Sequence, residues 1–313
     1  MKLARRALMA GGLASLGARA SAADMQGFPH DPHGPPPAVR VAQSAAGTAG
    51  AVWKPLIESM PESMRAGLGL QWMPGAPGLS QFELVTNRVD VARFGAMGTL
   101  QARARGADLV IFGPALFSHG RWLVPATSPF RHPQDLVGRR VACPLDTSET
   151  FQQANLAAAT VGLDIRRELV PVFGTLEANQ AAFERQDVEA IIALEPMATQ
   201  LVTAGAREIA TVAQMWCEGT GDTQPLFLLG MAAYRRWVVA DPGRAKRVAQ
   251  LVMDANSVVR ANPARLGRLQ QMATIYAADW DEAVFASMDR QVEAALRVGL
   301  IKAAPPVKVY VTS

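Results

Sequence analysis

Two Ser/Thr-rich loops stand where a short apolar run gives way to a helix. Ser44-Ala45-Ala46-Gly47-Thr48 follows the run 39–43, and Thr147-Ser148-Glu149-Thr150 follows the run 140–143 and opens a helical pattern at 149–161. The first N–H groups of a helix lack partners within it and its dipole favours negative charge there. The two loops can therefore present N–H groups and hydroxyls to an anionic head such as a sulfonate or carboxylate. Ser44, Ala45, Gly47, Thr48, Thr147 and Ser148 are candidate ligand-binding residues on this ground, and Thr48, Thr147 and Ser148 equally suit plain helix caps. Gly95 and Ala96 end another apolar run, where missing side chain lets a ligand approach backbone closely, and packing explains them as well. Glu195 directly follows Ile191-Ile192-Ala193-Leu194, with Pro196 starting the next helix. A carboxylate there either binds an amine or ring nitrogen of a ligand or caps that helix. Trp53 and Trp216 are candidate apolar walls, or core residues.

The elements that must position these residues repeat one phrase: a short apolar run, a Gly/Ser/Thr-rich turn, an amphipathic helix. That alternation predicts parallel strands with helices on their faces. Strands are expected at 39–43, 70–73, 89–94 and 109–112, then at 140–143, 168–172 and 190–194, with a return strand at 226–232. Gly120–Pro125 reads as an extended crossing, and 211–215 as the last strand before the chain returns, which puts Cys143 and Cys217 each at a strand end. Helices at 149–161 and 196–204 are closed by Gly162 and Gly205. The last third is helical, over 242–261, 263–276 and 281–298, with Leu251, Met253 and Val258 on its core face. Two α/β domains follow, the first built from both ends of the chain: 38–127 with 216–313, and 128–215. A ligand belongs in the cleft beyond the carboxyl ends of their strands.

Half of the 313 residues are apolar and 19% charged, enough to build a core and inconsistent with a disordered chain. Lys2, Arg5, Arg6 and Arg19 account for the net charge of +4, so beyond residue 22 basic and acidic residues balance. A neutral body has no field for nucleic acid. Residues 1–22 combine a basic start, an apolar run at 7–18 and the small-residue tripeptide Ala20-Ser21-Ala22, the form of a secretory signal peptide. Arg5-Arg6 leaves the twin-arginine and general secretory routes both open. Residues 23–37 include Gly27–Pro37, whose five prolines read as an extended tether. His30 and His33 fall in it as a solvated tail, so no metal or other cofactor is expected. An exported protein can oxidise its thiols; Cys143 and Cys217 are either two single thiols or one disulfide. Serine-hydrolase, HExxH, P-loop and Rossmann glycine patterns are absent, and with four histidines in the chain an acid–base mechanism has few players.

The phrases FELVTNRVDVARFGA (Phe82–Ala96), SPFRHPQDLVGRRVACP (Ser128–Pro144), TSETFQQANLAAATVGLD (Thr147–Asp164), ANQAAFERQDVEAIIALEP (Ala178–Pro196) and RANPA (Arg260–Ala264) come in a suggestive order. Together they resemble the periplasmic solute-binding proteins of ABC transporters, in the branch for sulfonate, taurine, nitrate and thiamine-precursor uptake. The resemblance implies a two-domain α/β periplasmic-binding-protein fold of type II, a Venus flytrap with its ligand cleft between the domains. It also implies no catalysis, capture of a small, partly anionic organic solute by a periplasmic monomer, and delivery to an ABC permease in the cytoplasmic membrane. Two other roles on the same fold stay open: a sensory binding module, and a pyrimidine-synthesising enzyme of the thiamine pathway, which carries a cysteine cluster where this chain has two separated cysteines. Two segments depart from the family pattern. Arg93 stands where a small or aromatic residue is usual, and 217–224 matches no subfamily.

Overall fold

The computed structural model describes residues 38–75 and 79–312. The expected signal peptide and tether, with His30 and His33, lie outside the described residues. Among the described residues there are ten strands: β1 (Arg40–Ala42), β2 (Gln71–Met73), β3 (Ala92–Phe94), β4 (Leu109–Phe117), β5 (Arg121–Val124), β6 (Arg140–Pro144), β7 (Val170–Gly174), β8 (Ala190–Ala193), β9 (Arg207–Thr211) and β10 (Phe227–Tyr234). β1 and β2 pair in parallel, and a bridge from Val41 to Val91 links them to the start of the β3 segment. β3, β10 and β4 form a second sheet with β10 in the middle, and the other five strands run in the order β7-β6-β8-β5-β9.

Sheet direction departs from the all-parallel expectation where the chain crosses between these systems. β10 is antiparallel to both β3 and β4, and β5 is antiparallel to β8 and β9. Both are strands by which the chain passes from one sheet to the other, so they enter against the run of their neighbours. The expected crossing at 120–125 is thus an interior strand of the five-stranded sheet, with Trp122, Leu123 and Val124 fully buried. A further correction concerns 211–215. Strand β9 ends at Thr211 and a helix, Val212–Thr220, begins there, because Thr211 accepts from the Gln214 N–H while the Gln214 side chain returns the bond, a capping box. Cys217 therefore lies on a helix, and Cys143 and Cys217 are both free thiols.

The β6 run Val141-Ala142-Cys143 is buried on both faces, as an interior parallel strand requires. Against it packs the helix Glu149–Thr160, buried from Glu149 through Ala158. Gly162 and Gly205 close their helices in the left-handed region, as expected. The long helix Pro242–Ala261 packs on β4, but its core face is Val248, Leu251, Val252, Ala255 and Val259. Those residues recur at the 3.6-residue period, whereas Val258 falls off that stripe and is exposed. Each fully buried Leu, Ile or Phe in these cores contributes about 1.5–3 kcal/mol relative to exposure.

Candidate functional site

A cavity of about 100 Å³ opens where the β1, β3, β4 and β10 ends meet the loop after β6. That volume holds several water molecules or one small organic molecule. Its first wall is the turn after β1. The Thr48 hydroxyl and N–H both donate to Ala45 O, which closes the turn, and Tyr276 fixes it from below by donating its hydroxyl to Ala49 O at 2.8 Å. Ser44, Ala45 and Thr48 line the cavity, and the Ser44 hydroxyl has no protein partner among the described residues. The turn leads into a helix, Trp53–Ser59, whose first residue is the apolar wall. Trp53 is held in place by donating its indole N–H to Asn256 Oδ1 at 2.7 Å, and Asn256 in turn donates to Ala115 O and Ala277 O.

Arg93 forms the second wall. In β3 the side chains alternate, so Ala92 and Phe94 enter one core while Arg93 shares the face of Val91, toward Trp53. The guanidinium stands 5.5 Å from the centre of the Trp53 ring, and Nη1 donates to Ala42 O. Only 6% of Arg93 is exposed, no carboxylate pairs with it among the described residues, and burial lowers its pKa to about 10. Such a cation is costly to bury without an anion.

The third wall is the start of the helix Glu149–Thr160. Ser148 is its N-cap and accepts from the Phe151 N–H at 3.2 Å, so what it offers the cavity is its hydroxyl proton. Glu149 is 3% exposed; its Oε2 accepts the Gly98 N–H at 3.3 Å at the N-terminus of the helix Ala96–Ala104. A Cβ on Gly95 or Gly98 would collide with this carboxylate, so both glycines make room for it. Burial pushes the Glu149 pKa up to about 7, against the lowering by the Gly95 and Gly98 backbone, and Oε1 has no partner. His119 completes the lining. Its Nδ1 lies 3.0 Å from Phe117 O, which puts the proton on Nδ1 and leaves Nε2 as an acceptor, and burial lowers its pKa.

Across this cavity a helix start from one sheet system faces a strand end from the other, and no nucleophile–base hydrogen bond lines it among the described residues. Residues 64–227, more than half of the chain, match the family model described as NMT1/THI5 like. The chain belongs to the NMT1/THI5-like family. Among solved structures, the alkanesulfonate-binding protein SsuA from Xanthomonas axonopodis pv. citri, bound to MOPS, is similar with a TM-score of 0.66 at 21% identity, covering 87% of this chain and 96% of that one. The periplasmic aliphatic sulphonate binding protein SsuA from Escherichia coli is similar with a TM-score of 0.63 at 19% identity, over 86% and 95% of the two chains. The Candida albicans CA3427 gene product, described as exhibiting the generic periplasmic binding protein structural fold, gives 0.62 at 13% identity over 88% and 97%. No curated protein matches the sequence. This NMT1/THI5-like chain thus has the α/β fold of the periplasmic binding proteins.

Of the residues singled out from the sequence of this family member, Ser44, Ala45, Thr48 and Ser148 come together on the cavity wall, as does Trp53. Gly95 and Ala96 lie behind it, Gly95 beneath Leu228 O and the Glu149 carboxylate, and Ala96 in the core. Gly47 sits at the tip of the first turn with φ 77°, away from the lining, and Thr147 is exposed and does not line the cavity. Trp216 is 1% exposed inside the core between helices Glu149–Thr160 and Val212–Thr220, and donates to Asp222. Glu195 is taken by the protein: Oε1 pairs with Arg121 at 2.9 Å and accepts from the Thr199 hydroxyl, while Oε2 accepts the Thr199 N–H at 3.0 Å. It caps the helix begun by Pro196 and stands outside the cavity lining. Glu195→Gln is accordingly expected to cost about 1–2 kcal/mol of stability and to leave ligand affinity within about twofold, measured by melting and calorimetric titration of the same variant.

Arg93 and Glu149 are cavity-wall residues that the sequence does not single out for the site. The signal was present for Arg93, a cation inside the apolar run Val89–Phe94. Glu149 looked like an ordinary acidic residue in a helix first turn.

Proposed function

We propose that this chain is the solute-capturing component of an ABC uptake system. It takes a small, partly anionic organic solute into the cavity and passes it to a permease in the cytoplasmic membrane. The observation that carries this reading is the buried Arg93 guanidinium on the cavity wall, a cation the protein gives no carboxylate. A solute anion supplies the missing partner. Two of the similar structures are named as sulfonate-binding proteins, which supports an anion. The protein acts as a monomer whose two lobes close on the solute, one lobe around β1 to β4 with β10 and the C-terminal helices, the other around the five-stranded sheet. It works in the periplasm. Export follows from the 1–22 signal, and N-terminal sequencing of the exported protein is expected to begin near Ala23. No helix of the described residues is long and apolar enough to cross a membrane.

A thermal-shift screen of ligand-free protein over sulfonates, carboxylates, nitrate, amino acids and pyrimidines tests the reading. A ligand at 100 times its Kd stabilises by about 2.7 kcal/mol, which raises the melting temperature by several degrees. A flat response to every compound rejects the solute-capturing role.

A further inference from the structure

The cavity holds two buried ionisable groups of opposite kind that the protein leaves unmatched. Arg93 uses Nη1 on Ala42 O, and its Nε and Nη2 make no hydrogen bond among the described residues. Glu149 uses Oε2 on the Gly98 N–H, and its Oε1 has no partner. The two form no ion pair with each other or with any described residue, although both line one cavity. They also come from different elements, Arg93 from β3 and Glu149 from the helix after β6.

We propose that the solute is a small zwitterion, its anionic group on the Arg93 guanidinium and its ammonium or protonated ring nitrogen on the Glu149 carboxylate. The proposal rests on the solute-capturing reading and sharpens it. A simple anion matches Arg93 and leaves a carboxylate buried beside it with no counter-charge; a simple cation does the reverse. A zwitterion matches both and brings no net charge into the cavity, which a buried site favours. His119 Nε2 supplies a further acceptor for an N–H donor, and Trp53 an apolar face for the short body joining the two ends. A cavity of about 100 Å³ keeps that body to a few carbons.

Calorimetric titration of ligand-free wild-type protein at about pH 7.5 tests this with isosteric pairs, β-alanine against butyrate and 3-aminopropanesulfonate against butanesulfonate. At that pH the amine and the acid are both charged. The zwitterion is expected to bind roughly tenfold or more tightly than its partner in at least one pair, the scale of one charge-assisted contact. Glu149→Gln, which keeps the side-chain size and the Gly98 bond, should bring that ratio close to one. The inference is overturned if the anion equals the zwitterion in both pairs, if no zwitterion binds at up to about 10 mM, or if the preference survives in Glu149→Gln. The wild-type comparison stands even where the variant does not fold. Binding of the anions alone overturns the zwitterion and leaves the solute-capturing role intact, whereas that role falls only with the broader screen.

Discussion

Arg93→Met is expected to weaken binding of any anionic solute by at least about 100-fold while leaving the ligand-free fold in place. A guanidinium fork donating two hydrogen bonds to an anion in a buried site contributes about 1.5–3 kcal/mol per bond, and Met removes both. Stability moves in two opposing directions. The substitution relieves the cost of holding a cation away from water without a carboxylate, and the thioether keeps contact with the Trp53 ring. It also leaves Ala42 O without the Arg93 donor. The two changes are of similar size, so melting of the ligand-free variant should stay within about 1 kcal/mol of wild type. Titration calorimetry beside thermal melting separates the outcomes. An affinity within threefold of wild type rules out Arg93 as the anion's seat, and a collapse of melting without ligand means that the guanidinium is structural.

The second large effect is a pH dependence carried by Glu149. Its folded pKa, about 7, lies above the ordinary carboxylate value because burial disfavours the charged form. The folded protein therefore binds a proton more tightly than the unfolded chain. The stability this gives is fully present below about pH 4.5 and is lost as pH rises through about 7. The loss amounts to about 3 kcal/mol at pH 8. His119, also on the cavity wall, acts in the opposite direction. Burial lowers its pKa, so it costs stability as pH falls through the unfolded histidine value. Arg93 stays charged across the range. The difference between wild type and Glu149→Gln isolates the carboxylate from these neighbours. Ligand-free Glu149→Gln should melt close to wild type at pH 5 and several degrees above it at pH 8. A constant difference between the two proteins across that range refutes the assignment.

Local features of this chain are legible in its sequence because they act through bonds a few residues long. The turn Ser44–Thr48, the Ser148 cap, and Gly162 and Gly205 as helix stops all depend on such neighbours, and each stands where the pattern put it. The helix Val212–Thr220 was legible too, since Thr211 and Gln214 have capping-box spacing, but the apolar residues beside them read as a strand. What the tertiary structure alone decided is which buried charges find partners. Glu195 and Glu149 look alike in sequence, each an acid at a helix start after an apolar strand. Arg121, brought in by β5 running as an interior strand, reaches Glu195 and pairs with it. Glu149 meets instead a helix start bared by Gly95 and Gly98 and Arg93 lines the same cavity, and neither makes an ion pair among the described residues. A buried charge answers to whatever the fold sets within a few ångströms of it, and for these residues the setting comes from segments far apart in the chain.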